Sequence, residues 1–226
     1  MTETFDRMIA LTEDIITHPV IQSGLAEPIP ATDAQRGEQQ RLLNSELTRL
    51  VFRYSKVSDV LIFRPDRSLQ YTAGYSLYLE TDLEQIQTGI AATAQNMFWT
   101  SIKNRQGDTL VALGRTVYDT DDFARPLGRV VLILEERPFS REAFYGVKLG
   151  EETQLSLLSR DGTIITSAPG GPPNGTRLGD PALLNRLATI KDELPNSFRW
   201  TITDRSGLIC ATAIPQPDWV LTAWIP

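Results

Sequence analysis

Apolar positions fall into two patterns along this chain. Near the start they recur every three to four residues. From residue 57 onward they come in short runs separated by polar turns. The first pattern predicts helices, the second strands. Phe5, Met8, Ile9, Leu11, Ile15 and Ile16 predict an amphipathic helix over 5–21. His18-Pro19 interrupts it, because a residue before proline avoids the α region. Residues 25–33 carry two prolines and read as a loop. Asp33 is placed to cap a second helix over 34–54, with Leu42, Leu43, Leu47, Leu50, Val51 and Tyr54 as its apolar stripe.

The strand pattern then appears twice. Residues 57–63 and 69–72 predict a first strand pair around the polar turn 64–68. A helix over 82–97, with Leu83, Ile86, Ile90 and Ala94 on one side, leads to strands at 99–102, 109–117 and 127–134. Residues 130–134 are continuously apolar, as expected of a central strand buried on both faces. Residues 138–145 read as a short helix or linker, with Ser140 as its cap. The pattern then restarts. Residues 155–158 and 163–166 flank Ser159-Arg160-Asp161-Gly162, where Gly supplies the positive φ of a tight hairpin. Residues 168–179 are dense in Gly and Pro and read as a surface loop. Asp180-Pro181 is an N-cap and first-turn pair for a helix continuing to about residue 194 through Leu183, Leu184, Leu187 and Ile190. Strands at 197–203, 208–214 and 219–225 follow. Each half thus reads strand, strand, helix, then three strands, an α+β arrangement of antiparallel sheets with flanking helices. The expected domains are a helical stalk over 1–56 and two sheet modules over 57–148 and 149–226.

Composition narrows the function. The 226 residues are 41% hydrophobic and 22% charged, which suits a folded chain with an ordinary core. The net charge of −6 argues against nucleic acid as a partner, since phosphate binding needs a basic face. One cysteine, Cys210, precludes an internal disulfide. It lies in an apolar strand and reads as a small buried hydrophobe. No stretch approaches the roughly 20 apolar residues of a membrane span. The opening Met1-Thr2-Glu3-Thr4 lacks the basic and apolar regions of a signal peptide.

Several segments together carry a family resemblance. They are VSDVLIFRPDRSLQYT (57–72), FWTSIKN (98–104), LGRTVYD (113–119), PLGRVVLILEERPFS (126–140), LSLLSRDGTIITS (155–167) and PDWVLTAWIP (217–226). Two PAS-like modules behind a long N-terminal helix resemble the double Cache sensor domain of bacterial membrane receptors. The flavour is similar to extracellular regions of sensor histidine kinases of Gram-positive bacteria. The resemblance covers nearly the whole chain. It implies an ectodomain at the extracellular face of the bacterial membrane, joined to it by flanking segments this chain lacks. It implies a small-molecule ligand in the membrane-distal first module, a relay through the second, and an output domain such as a kinase beyond the membrane. Homodimerisation through the N-terminal helices fits the same picture. A subset of the family binds amino acids through an Arg-x-Trp-Tyr cluster. Here Met97 stands two residues before Trp99, so that ligand class is not expected.

No catalytic motif appears, and neither a cofactor nor a metal is expected. A Ser–His–Asp set would have to use His18, the only histidine, which stands before a proline in the helical segment. Asp119-Thr120-Asp121-Asp122 fails the calcium-loop spacing, with Phe123 fifth, Ala124 sixth and Val130 twelfth. No phosphate-loop signature is present. Small-ligand pockets are mostly apolar and aromatic with a few placed polar groups. On that basis the candidate ligand residues are Tyr71, Tyr75, Phe98, Trp99, Arg115, Tyr118 and Asp119. The plainer alternative is that Trp99 and Tyr71 are core and Arg115 pairs with a surface acid. A binding or dimerisation domain without a small ligand is the competing function.

Overall fold

Pro19 breaks the opening helix where the sequence predicts. Helix α1 spans Thr2–Ile16 and α2 Pro19–Ala26, so helix continues into the stretch expected as loop. Helix α3 spans Asp33–Val51. The computed structural model describes every residue except 1, 28–31, 52–56, 67–68, 75–82, 85, 88–95, 104–108, 135–139, 142–143, 145–146, 148–149, 151, 192–193, 203 and 216–217. The chain divides into two compact units, 2–135 and 136–226, so the three helices belong to the same unit as the first sheet.

The first sheet holds β1 (Val57–Phe63), β2 (Leu69–Gly74), β3 (Met97–Lys103), β4 (Thr109–Tyr118) and β5 (Pro126–Leu134), in the order β2-β1-β5-β4-β3. All its pairings are antiparallel. The apolar run 130–134 does form the central strand and is buried throughout. Met97 already belongs to β3, whereas the sequence assigned it to the preceding helix; of that helix, only 83–84 and 86–87 lie among the described helical residues. Side chains alternate across a strand, so this sheet has two apolar faces. On one, Leu61, Phe63, Phe98, Ile102, Leu110, Ala112, Val131 and Ile133 pack with Ile86. On the other side α1 packs against β4 and β5, α2 against β5, and α3 against β1 and β2. Phe5, Met8, Leu11 and Ile15 are the buried stripe of α1.

The second sheet holds β6 (Gln154–Ser159), β7 (Ile164–Ser167), β8 (Asn196–Ile202), β9 (Arg205–Ile214) and β10 (Trp219–Ile225). Its order, β7-β6-β10-β9-β8, repeats that of the first. Helix α4 (Pro181–Ala188) covers one face through Leu183 and Leu187, packed with Ile190, Ile209, Ala211, Val220 and Trp224. It ends sooner than the sequence suggests. The N–H of Thr189 bonds back to the Arg186 and Leu187 carbonyls and closes the last turn. Gly162 takes φ 85° at the hairpin tip, the left-handed turn its sequence predicts.

Gly207 departs from expectation. The strand bounds 197–203 and 208–214 leave it in the connection between them, but Ile202 pairs with Arg205, and Asp204 (φ 64°) makes the bend. Gly207 lies inside β9, where an added Cβ would meet the Ile225 carbonyl at 2.5 Å and Trp224 Nε1 at 2.7 Å. The missing side chain seats the Trp224 indole.

Two aspartates brace the second unit. Asp161 accepts from the Ser159 and Thr163 hydroxyls. Its partial burial raises the carboxyl pKa, but those bonds and the charge of Arg177 outweigh this and hold it below the ordinary 3.8. Asp180 caps α4, accepting from Leu183 N (3.1 Å), Ala182 N (2.9 Å) and Trp200 Nε1 (2.9 Å). The Leu183 N–H and then the Trp200 indole lower its pKa in turn. A depressed folded-state pKa adds stability that is fully present above the unfolded value and is lost as pH falls through the folded value. Acidification from about pH 5 to about pH 3 should therefore lower the urea midpoint of the second unit. In the Asp161→Asn and Asp180→Asn variants that slope should flatten; unchanged slopes in both would show the two carboxylates carry no such linkage.

Candidate ligand-binding face

Among the described residues, the candidates do not gather at one point. Phe98 and Trp99 are neighbours in β3, and neighbours in a strand point to opposite faces. Phe98 is buried in the Leu61–Ile133 cluster, its ring lying over Gly114 of β4. Trp99 points to the helices, edge-on to Phe5 of α1 with ring centroids 5.2 Å apart. Arg115 pairs with Met97 across the sheet and also reaches α1. Its guanidinium donates to Thr12 Oγ1 at 3.3 Å and to Glu13 Oε1 at 3.1 Å. The tryptophan and arginine therefore dock α1 onto the sheet.

Tyr118 and Asp119 sit where β4 ends. Tyr118 Oη donates to Asn96 Oδ1 at 2.7 Å, and Thr116 N donates to the Asn96 carbonyl at 2.8 Å. Asn96 leads directly into β3, so the two strand ends are tied together. Asp119 Oδ1 accepts from Asp121 N at 2.9 Å, and Asp119 Oδ2 faces Arg125 at 3.4 Å. These contacts close the acidic turn on itself at the Asp119 side chain. Tyr71 lies on β2 opposite Ile62. Tyr75 lies outside the described residues.

Residues overlooked in the sequence join this picture. Asp59 is fully buried in β1. Its regular register with β2 up to Ile62 puts it on the face of Leu61 and Phe63, beside the Phe98 cluster. A carboxylate with no exposure is retained only when paired or hydrogen-bonded. The signal was an acid within the apolar run 57–63. Asn96 and Gln22 carry no sequence signal, because what distinguishes them is the backbone and hydroxyl groups they meet far along the chain. A separate open cleft of about 600 Å³ lies between α2 and α3, lined by Val20, Glu27, Glu38, Gln39, Leu42 and Leu43.

The arrangement offers an apolar sheet face, roofed by the segment of Leu83 and Ile86, with polar groups near its margins. Its residues are buried, from 0% to 7% exposed. Among the described residues no group of three or more His, Cys, Asp and Glu could hold a metal ion. His18 meets Glu46 at 3.6 Å at the α1–α2 bend, away from this face.

No family model matches the sequence, and no curated relative matches it either. Solved structures do match. The periplasmic sensory domain of the Campylobacter jejuni chemoreceptor Tlp1 is similar with TM-score 0.67 and 14% identity, over 100% of this chain and 90% of that one. The sensor domain of the V. cholerae histidine kinase DctB gives 0.57 and 12%, over 99% and 93%. The ligand-binding domain of the Pseudomonas aeruginosa PAO1 amino acid chemoreceptor PctC, solved with GABA, gives 0.57 and 13%, over 99% and 96%. Across its whole length, this chain has the fold of the extracellular and periplasmic sensor domains of histidine kinases and chemoreceptors.

Proposed function

We propose that this chain is the ligand-sensing part of a bacterial transmembrane receptor of the histidine-kinase type, built as two tandem Cache modules behind a helical stalk. The observation that carries the reading is the repeated strand order, 2-1-5-4-3 in each sheet, within a fold shared end to end with sensor domains. The first unit takes a small molecule on the face of Phe98, with Asp59 and the Asn96–Tyr118 pair as its polar margin. Tyr71, Tyr75 and Asp119 remain candidates around it, while Trp99 and Arg115 act through α1. Binding shifts the population between two arrangements of sheet and helices, and the second unit passes that shift through β10 to the membrane. The chain works by binding, not by catalysis.

Thermal-shift and native mass-spectrometric screening of the purified chain against small metabolites tests this. A true ligand at a hundredfold excess over its Kd adds about 2.7 kcal/mol of stability. If no compound moves the melting temperature or appears as a bound mass, direct sensing is wrong.

A second reading is a dimerisation or partner-binding domain of the same fold. The Phe98 ring filling the space over Gly114 favours it, as do the contacts of Trp99 and Arg115 with α1. Leu42 on α3, 57% exposed, would sit in a contact between N-terminal helices. A monomer–dimer equilibrium that Leu42→Glu abolishes, in a protein that shows no ligand, would select this reading.

A further inference from the structure

We propose that Gln22 is the latch that holds the α1–α2 bend to the end of β4, so that the Asn96–Tyr118 margin and the helices move as one. A terminal amide has two N–H donors and a carbonyl acceptor, and Gln22 uses both kinds to join two segments, the end of α1 and the end of β4. Its Nε2 donates to the Ile16 carbonyl at the end of α1. The same nitrogen donates to the Tyr118 carbonyl at 2.9 Å. Its Oε1 accepts from Thr120 N at 3.4 Å. The Ile16 carbonyl needs a donor because the helix stops there and the chain turns through Pro19. The Tyr118 carbonyl lies at a register shift between β4 and β5.

Tyr118 is thus gripped from two sides. Gln22 holds its carbonyl, and Asn96 holds its hydroxyl. A ligand that displaces Asn96 or Tyr118 must pull on Gln22, and through it on both helices at the bend. Arg115, three strand positions closer to the middle of β4, ties the same strand to α1 but not to the bend. The latch depends on the sensing reading for its purpose; its geometry stands without it.

Amide hydrogen exchange on the ligand-free full chain tests the latch by a double-mutant cycle. The reporters are the Ile21 and Gln22 amides, which bond to the His18 carbonyl at 2.9 Å each. Tyr118→Phe removes only the grip of Asn96. With Gln22 present it should speed exchange at the bend about fivefold, the worth of one ordinary hydrogen bond. In the Gln22→Leu background the bend should already exchange faster, and Tyr118→Phe should add nothing. Gln22→Glu keeps the length and loses the donors, and should repeat the result if the leucine variant folds poorly. Exchange that Tyr118→Phe leaves unchanged, or speeds equally in both backgrounds, overturns the proposal. Because no ligand enters the experiment, a failed ligand screen would sink the sensing reading and leave this result untouched.

Discussion

Replacing Gly114 with alanine is expected to destabilise the first unit by about 2–3 kcal/mol, read from the urea midpoint. An added Cβ would stand 1.8 Å from Phe98 Cε1 and 2.1 Å from Cζ. The ring cannot swing clear easily, because Phe98 is only 6% exposed and packed among Leu61, Ile102 and Ala112. Gly114 sits between Val131 of β5 and Phe98 of β3, so the backbone cannot yield without breaking two ladders. Adding Phe98→Leu should recover part of the loss, since the smaller side chain leaves room for the methyl. A G114A protein as stable as its parent would mean that the ring does not occupy this space. The face would then be open, which would strengthen the sensing reading.

The second large effect concerns the opposite face. Phe5→Ala should cost about 3 kcal/mol, the usual price of emptying an aromatic site in a core. Phe5 is 2% exposed and stands edge-on to Trp99. Trp99→Ala should also destabilise, and the double variant should lose less than the sum by about 0.5–1.5 kcal/mol, the direct ring–ring share. The cycle separates two roles for Trp99. A tryptophan that docks α1 shows the coupling; one that serves a ligand would leave stability unchanged and alter only the response to that ligand.

Much of the architecture was legible where a local rule had no rival. Pro19 had to break the opening helix, Gly162 had to turn left-handed, and the run 130–134 had to be central. Gly207 misled because glycine signals a turn as readily as a close contact, and its partner Trp224 is far along the chain. The candidate site was legible only in part. Proximity in sequence suggested that Phe98 and Trp99 act together, although strand alternation alone forbids it. Arg115 read as a ligand group because its partners, Thr12 and Glu13, lie about a hundred residues away on a helix. Asp59 was hidden by the apolar residues around it, although a buried acid is the most costly member of such a run.

The shared strand order also sets a timetable for biogenesis. In each sheet the strand made last, β5 or β10, is the one in the middle. Before it arrives, the hairpin β1–β2 and the pair β3–β4 have no strand between them, and likewise β6–β7 and β8–β9. Neither unit can close its core on a partial chain, and each closes by inserting a strand between two preformed edges. Such insertion pays for long loops before any long-range contact repays them, so folding should be slow for the chain's length. While each unit waits, two apolar strand edges stand open to pairing with another chain. The first unit can finish while the second is still being synthesised.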